Sequence, residues 1–200
     1  MPLLIGPMKL STTNKIFAGK LKNVDAKSTL LIQTTFVDLS TDTPDGQIVR
    51  AVTVPWRRIV DEIKRNQEFL FEFVNESRKF EEFVAATYEQ DGWRVVLTPR
   101  SGDGGRDVIA TRRDPTPIRL LDQCKAFSPG YVVTAEDIRT MYGVLSGDLN
   151  ASKAVVTTTS TFAPGIAKEF GDRVPYRVEL RDGEALAQWL QDVSGGQQTG

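Results

Sequence analysis

Hydrophobic and polar residues follow two different periods along the second half of the chain, and each period predicts one kind of element. Apolar positions spaced i, i+3, i+4, i+7 and i+8 predict a helix that begins near Ser77. They are Phe80, Phe83, Val84, Thr87 and Tyr88. Asp91 and Gly92 end this helix, and strand-like runs follow at 93–98, 106–111 and 119–125.

The remaining elements of this half alternate between helix and strand. Thr134 opens a helix with Asp137 three residues later, a spacing typical of a capping box. After it come a strand at 153–158, a helix at 164–170, a strand at 177–180 and a helix at 184–191. The first three strands have short connections and should pair antiparallel, whereas the strand at 153 follows a helical crossover and should pair in parallel. We therefore expect an α/β domain over residues 76–192, with a mixed sheet flanked by helices.

The first 75 residues predict a small α+β appendage of unknown role. Apolar runs at 30–37 and 48–54 flank the turn signal Thr43-Pro44-Asp45-Gly46, which indicates a hairpin. A helical pattern then runs from Pro55 to about residue 74, and the cations Arg57, Arg58, Lys64 and Arg65 on it form either a solvated face or a DNA-backbone contact.

The end of this appendage is too apolar to remain exposed, because Phe69, Leu70, Phe71 and Phe73 lie close together. We expect it to pack on the main domain or on a second subunit. At the other end of the chain, the polar, glycine-rich residues 193–200 predict a flexible tail.

Composition narrows the possible chemistry. The chain has no histidine, which excludes Ser-His-Asp and Cys-His catalysis and nucleases with a histidine base. One cysteine excludes an internal disulfide, and neither a signal peptide nor an apolar run of membrane length is visible, so we expect a cytoplasmic protein that binds no membrane. The net charge of −1 means that contact with DNA must use a local basic patch.

The candidate chemistry lies between residues 101 and 125. A glycine-rich loop leads to Asp107, and the next strand carries Gln123, Cys124 and Lys125. Alternation along a strand places Gln123 and Lys125 on one face and Cys124 on the other, and strand pairing brings Asp107 beside them. A carboxylate and an amide oxygen suit Mg²⁺, and a lysine beside the metal can orient or deprotonate an attacking water. The loop is not followed by Gly-Lys-Ser/Thr, which argues against a nucleotide-binding P-loop, and Asp103 is expected to cap the loop.

These residues resemble a known family. The loop Gly104-Gly105-Arg106-Asp107, followed by Gln123-Cys124-Lys125, is similar to the core of PD-(D/E)XK nucleases, and specifically to the Mrr-like restriction endonucleases. The likeness runs from about Phe80 to about Leu190 and includes the pair Phe80-Glu81. It implies an αβββαβ core. The chain departs from the superfamily pattern in two ways: Gln123 replaces the second acid, as is usual in the Mrr-like branch, and no proline directly precedes Asp107.

The resemblance also implies roles for individual residues. Asp107 and Gln123 would hold Mg²⁺ (or Mn²⁺ in its place), the Cys124 backbone carbonyl would be a further ligand, and Lys125 would act on the water. Glu81 would lie near the metal; the helical period agrees, because it places Glu81 at the rim of the apolar face and Glu82 on the far side. The alternatives are a surface position for Glu81 and a structural salt bridge from Lys125 to Asp122 or Asp107.

Three functions remain open at this point. The first is a Mg²⁺-dependent endonuclease that acts on double-stranded DNA. Its role would be restriction of foreign DNA, and the enzyme could act as a homodimer. The second is a nuclease fold that binds DNA without cutting it, and the third is a repair or junction nuclease. Several arginines near the loop are candidates for backbone contacts, Arg100, Arg106, Arg112, Arg113 and Arg119. The hydroxyl-rich run 157–161 would either bind phosphate or cap a helix.

Overall fold

The computed structural model describes residues 26–102, 104–113 and 115–196, with side chains from residue 29 onward. Asp103, the expected loop cap, and residues 197–200 of the expected tail lie outside the described residues. Within the described part, no helix is long and apolar enough to span a membrane.

One large mixed sheet forms the centre of the fold. Its seven strands are Val37–Thr43 (β1), Gly46–Ala51 (β2), Arg94–Leu97 (β3), Val108–Arg112 (β4), Ile118–Lys125 (β5), Lys153–Thr158 (β7) and Val178–Arg181 (β9), in the spatial order β1-β2-β3-β4-β5-β7-β9. Neighbours pair antiparallel from β1 to β5, and the pairs β5–β7 and β7–β9 are parallel. The predicted switch from antiparallel to parallel pairing at residue 153 is therefore confirmed. Two shorter strands that the sequence pattern missed, Val132–Val133 (β6) and Thr161–Phe162 (β8), pair in parallel as a separate sheet.

Helices cover both faces of the large sheet, which confirms the predicted α/β class. They are Ala26–Ile32 (α1), Thr53–Arg65 (α2), Ser77–Gln90 (α3), Ala135–Gly147 (α4), Ile166–Phe170 (α5) and Gly183–Ser194 (α6), with 3₁₀ segments at Gln67–Phe73 and Gly171–Arg173. One core cluster joins α3 and α6 to β4 and β5 through residues such as Phe83, Leu120 and Leu190. The other joins α4 and α5 to the opposite face through Leu121 and Met141. Because side chains alternate along a strand, Leu120 and Leu121 belong to different clusters.

The N-terminal elements differ in detail from the sequence pattern. Residues 30–32 are helical and the first strand begins only at Val37, so the predicted strand over 30–37 is wrong. The second strand ends at Ala51, because α2 begins at Thr53. The helix predicted up to residue 74 is interrupted at Asn66, which adopts an extended backbone and whose side chain accepts a bond from the Glu68 N–H. An asparagine side chain can accept a hydrogen bond from a backbone N–H nearby, and this bond competes with the hydrogen bonds that would continue the helix.

The hairpin β1–β2 is part of the large sheet. Gln47 pairs with Leu97 and Ile48 with Val96, so β2 lies directly beside β3. At Gly46 the backbones of β2 and β3 approach so closely that a Cβ atom added to Gly46 would lie 2.3 Å from the Leu97 carbonyl oxygen. Phe69, Leu70 and Phe73 are buried in the cluster under α3, which confirms that this end of the appendage packs on the main domain.

Candidate active site

Asp107 lies between the glycine loop and β4, and it is bonded to β5 at two points. Its backbone N–H donates to the Asp122 carbonyl at 2.9 Å, and its Oδ2 accepts a bond of 2.7 Å from the Cys124 backbone N–H. The register ends with the pair Val108 and Asp122, and the two bonds of Asp107 go to Asp122 and Cys124, the neighbours of Gln123 on either side. The structure thus brings Asp107 and Gln123 together at one end of two paired strands.

Gln123 carries an unusual polar atom. Its Oε1 is buried and has no hydrogen-bond partner among the residues that the structure describes. A buried acceptor without a partner costs about 1–3 kcal/mol, so a position of this kind calls for a ligand or another use. An amide oxygen is a ligand for hard cations, which makes this atom the structural reason to consider a metal here.

The oxygen atoms at this site fit a metal ion that needs few carboxylate ligands from the protein. Within the described ranges there is no group of three or more His, Cys, Asp and Glu side chains that could hold a metal. Amide and carbonyl oxygens are also ligands for hard cations. Mg²⁺ often takes only one or two carboxylates and completes its shell with water and substrate phosphate. Asp107, the Gln123 Oε1 and the Cys124 carbonyl match this lower requirement.

Cys124 presents its backbone to Asp107, while its thiol packs in the core. The Cys124 N–H points toward Asp107, and the N–H and C=O of one strand residue point in the same direction, so the carbonyl lies on the Asp107 side. Its side chain packs against the cluster that contains α3. Burial raises the pKa of the thiol well above its usual value, and the carboxylates of Asp122, Asp107 and Glu81 raise it further. The thiol therefore stays protonated and unreactive, as a core residue should.

Lys125 lies on the same strand face as Gln123, as the alternation predicts. Its Nζ is 3.2 Å from Asp137 Oδ1, at the start of α4. Asp122 is not its partner, because that side chain lies on the opposite face, where Tyr88 and Thr157 donate to its Oδ2. The salt bridge that the structure shows for Lys125 thus involves a residue that the sequence had indicated only as a helix cap.

Glu81 lies on α3, which covers the face of the sheet toward which the Cys124 thiol points. Its charge contributes to the raised pKa of that thiol, whereas Gln123 and Lys125 point to the other face of β5. Its Oε2 accepts a bond of 2.8 Å from Arg78, which also donates to the Thr98 carbonyl at 2.9 Å. Glu82 instead pairs with Lys79. Glu81 is therefore held by an arginine on the α3 side, and its place near a metal stays a prediction.

The glycine loop packs against α4 and against the hairpin. A Cβ atom at Gly105, which has a φ of +80°, would lie 2.9 Å from Val144 of α4. Arg106 and Arg119 both pair with Asp45 at the tip of the hairpin, at 3.3 and 3.1 Å. These two arginines were candidates for DNA contacts, and each is held by a carboxylate of its own chain. The sequence pattern indicated Asp45 only as a turn residue. It could not identify Asp45 as the partner of these arginines, because both are far from it along the chain.

The hydroxyl-rich run after β7 has a different use from the two expected ones. Thr158 Oγ1 donates to the Lys125 carbonyl and Thr159 Oγ1 to the Phe127 carbonyl, both at 2.8 Å. Ser160 Oγ donates to the Tyr131 carbonyl in the same way. These hydroxyls hold the chain that follows Lys125, and they do not cap the next helix.

A buried polar cluster on the α3 side was also missed. Asp122 accepts bonds from Tyr88 and Thr157, and Arg181 lies 3.6 Å from it and stacks on Trp189. Burial raises the pKa of the Asp122 carboxyl to about 6, although Arg181 and the two hydroxyl donors oppose the rise. The alternation along β5 already places Asp122 away from Gln123 and Lys125, and this signal could have removed it from the candidate partners of Lys125.

Comparison with known proteins identifies the family of this arrangement. A family model described as restriction endonuclease, Mrr_cat, matches residues 75–190, more than half of the chain. This match confirms the predicted likeness to the Mrr-like restriction endonucleases. No curated protein matches.

Solved structures of restriction endonucleases are also similar. FokI is 12% identical over 74% of this chain and 32% of its own, with a TM-score of 0.52, a likeness of fold. AspBHI, a DNA modification-dependent enzyme, is 18% identical over 80% of this chain and 38% of its own, with a TM-score of 0.48. MspJI in complex with a 27-mer oligonucleotide is 21% identical over 80% of this chain and 35% of its own, with a TM-score of 0.41. The chain thus spans about a third of the length of the structures it matches.

Proposed function

Since the chain belongs to the restriction endonuclease family Mrr_cat, we propose that it is a metal-dependent endonuclease that hydrolyses phosphodiester bonds in double-stranded DNA. The observation that carries this proposal is the unpartnered, buried Oε1 of Gln123, on the strand face of Lys125 and between the two residues to which Asp107 is bonded. A DNA-binding module without catalysis would have no need for a buried acceptor beside a carboxylate, because the acceptor lowers stability.

The proposed metal is Mg²⁺, with Mn²⁺ as a substitute. Asp107, Gln123 Oε1 and the Cys124 carbonyl would hold it, and Glu81, held by Arg78, would be a further carboxylate. A bound divalent cation supplies charge stabilisation for the phosphate that is attacked and for the oxygen that leaves. Because Gln123 brings no charge, the substrate phosphate is the expected source of a second anionic oxygen.

The residues of the chain itself would perform two further tasks. Lys125 would hold the attacking water on the Gln123 face of the strand and stabilise its charge as it loses a proton. The water oxygen forms a bond to phosphorus, the bond from phosphorus to one sugar oxygen breaks, and that oxygen receives a proton. The products are a phosphomonoester end and a hydroxyl end.

The biological role that fits the family is restriction of foreign DNA. The described residues hold one candidate site, and we propose that a homodimer supplies the second site needed to cut both strands. The exposed cations Arg57 and Arg58 of α2 and Arg100 and Arg113 near the loop are the candidates for backbone contacts.

Two other functions are alternatives to this proposal. A DNA-binding module without cleavage is favoured by the neutral Gln123 and by the net charge of −1. A repair or junction nuclease would use the same residues and would differ only in the DNA structure that it accepts.

The test is cleavage of supercoiled plasmid by the purified chain in Mg²⁺, in Mn²⁺ and in EDTA. Unmethylated, methylated and branched DNA should be compared in parallel. Nicked or linear product that depends on metal supports the endonuclease, and the preferred substrate separates restriction from junction cleavage. Binding to DNA without product in any metal and on any substrate would support the module and contradict the endonuclease.

A further inference from the structure

The carboxylate of Asp137 uses its two oxygens for two different purposes. Oδ2 accepts from the backbone N–H and the Oγ1 of Thr134, at 2.9 and 2.8 Å, which completes the capping box of α4. Oδ1 lies 3.2 Å from Lys125 Nζ. A capping box alone needs only the first contact, so the second calls for its own explanation.

Lys125 is held at both ends. Its backbone carbonyl accepts from Thr158 Oγ1 at 2.8 Å and from the Thr159 N–H at 3.2 Å, which pins the residue to β7. Its ammonium group is held from α4 by Asp137. A lysine side chain has many rotamers, and a mobile ammonium would spend little time in one orientation toward a water. The contact with Asp137 removes this freedom without closing the site, because both side chains keep 24% of their surface exposed.

The anchor itself is rigid and stays charged. It belongs to the first turn of a 13-residue helix, where the helix dipole favours an anion. Partial burial would raise the pKa of the Asp137 carboxyl, but the hydrogen bonds from Thr134 and the Lys125 ammonium outweigh this effect and hold the pKa below its usual value. The neighbouring acid, Glu136, has 78% of its side chain exposed and pairs with Arg139, away from the site.

We propose that Asp137 is a positioning residue for DNA cleavage: it orients the Lys125 ammonium toward the attacking water, through a carboxylate that the capping box holds in place. This role rests on the proposed endonuclease function. Asp137 lies in a helix, outside the loop and the strand that carry the candidate metal ligands, and it touches neither metal nor DNA in this role. Its loss should therefore slow the chemical step and leave binding of metal and DNA intact.

The experiment compares Asp137→Asn with Glu136→Gln in the full chain. Both changes remove one carboxylate charge from the same helical turn, and the asparagine oxygen can still accept from Thr134. Single-turnover cleavage of plasmid should slow by about 10- to 100-fold in Asp137→Asn, the range expected for a mispositioned catalytic group. Mn²⁺ affinity by calorimetry and KM for DNA should stay at the wild-type values. Glu136→Gln should cleave like wild type, and Asp137→Glu, which keeps both the cap and the charge, should recover most of the lost rate.

Assays should run at a temperature at which circular dichroism shows every variant to be folded. Should Asp137→Asn fold poorly, Asp137→Ser provides the same test, because its hydroxyl can still accept from Thr134. An equal loss of rate in Glu136→Gln would overturn the proposal, since it would indicate a general effect of charge on the helix. A folded Asp137→Asn or Asp137→Ser with the wild-type rate would overturn it directly. A wild-type chain that cleaves no DNA would instead refute the proposed function.

Discussion

The backbone N–H of Cys124 donates a hydrogen bond of 2.7 Å to Oδ2 of Asp107. This bond joins the residue after the glycine loop directly to the Gln-Cys-Lys strand. It places one carboxylate oxygen at a fixed point beside Gln123. Asp107 therefore has a structural role, as the acceptor of this bond, in addition to its proposed role as a metal ligand. A substitution that tests metal binding has to preserve the hydrogen bond.

Asp107→Asn is the substitution that separates these tasks. The amide oxygen can still accept from the Cys124 N–H, whereas Asp107→Ala would leave that donor unpaired at a cost of about 1–3 kcal/mol. We expect Asp107→Asn to keep a melting temperature near that of wild type and to lose cleavage and most of its Mg²⁺ affinity, since it removes the carboxylate charge that is bonded to the strand beside Gln123. Calorimetric titration beside a nicking assay checks this, with the exposed Asp172→Asn as control. Full activity in Asp107→Asn would contradict the assignment.

Gln123 offers a test in two directions. Gln123→Glu adds a charged oxygen and should strengthen binding of Mn²⁺ or Mg²⁺ with activity retained. Gln123→Met has a similar volume and removes the buried, unpartnered oxygen. It should raise the free energy of unfolding by about 1 kcal/mol and abolish cleavage. Urea denaturation and metal titration measure both effects. A less stable but fully active Gln123→Met variant would show that the oxygen has a structural partner and no role in metal binding.

Lys125 should be needed for chemistry and dispensable for metal binding. Lys125→Ala removes the ammonium group but none of the oxygens beside Asp107, so cleavage should be lost while the Mn²⁺ titration stays like that of wild type. The exposed Lys168→Ala serves as a control for loss of one positive charge. Cleavage by Lys125→Ala at the rate of the control would remove lysine from the mechanism.

Truncation before Asn75 should lower solubility, even though the family match begins there. Phe73 stacks on Phe83 at 5.2 Å between ring centroids, and Phe36 meets the same ring at 5.9 Å. Without residues 1–74, the fully buried Phe83 is uncovered and β3 loses its neighbour β2, which leaves an apolar patch beside an open strand edge. Size-exclusion chromatography of fragment 75–200 and of the full chain provides the comparison. A soluble, monomeric and stable fragment would contradict this expectation.

The ion pairs of Glu179 predict a pH dependence of stability. Glu179 binds Arg181 at 2.8 Å and Lys153 at 2.6 Å. Burial would raise the pKa of the Glu179 carboxyl, but the two cations outweigh it and hold the pKa below the ordinary value of 4.5. The folded state therefore gains stability above pH 4.5 and loses it as the pH falls through the lower folded-state pKa.

Glu179→Gln should accordingly lower the free energy of unfolding by about 1–2 kcal/mol at pH 7. The difference from wild type should shrink as the pH falls below 4.5, where the wild-type carboxylate itself is protonated. Urea denaturation at several pH values measures this, with the exposed Glu184→Gln as control. A difference that stays constant or grows toward low pH would show that the pairs do not stabilise the fold.

Periodicity was sufficient for the local geometry of the site. Alternation along β5 determines that Gln123 and Lys125 share a face and that Cys124 faces the core, because successive side chains of a strand point in opposite directions. The short turn between β4 and β5 determines antiparallel pairing, which brings Asp107 to the end of β5 that carries Gln123. The spacing of Thr134 and Asp137 determines a capping box, since both partners lie within one turn. Each of these relationships depends on neighbours in sequence or on one short connection.

Only the tertiary structure decided which distant groups meet. Asp45 holds two arginines that are far from it along the chain, Asp137 holds Lys125 from the helix of the crossover, and Arg181 reaches Asp122 from the last strand. The same is true of the hairpin, whose turn signal was visible in the sequence, whereas the pairing of β2 with β3 was not. A hydrophobic period states which face of an element is buried, but not what it is buried against. The elements that pack together depend on the path of the crossover connections and on which buried charges need a partner. Both are properties of the assembled fold.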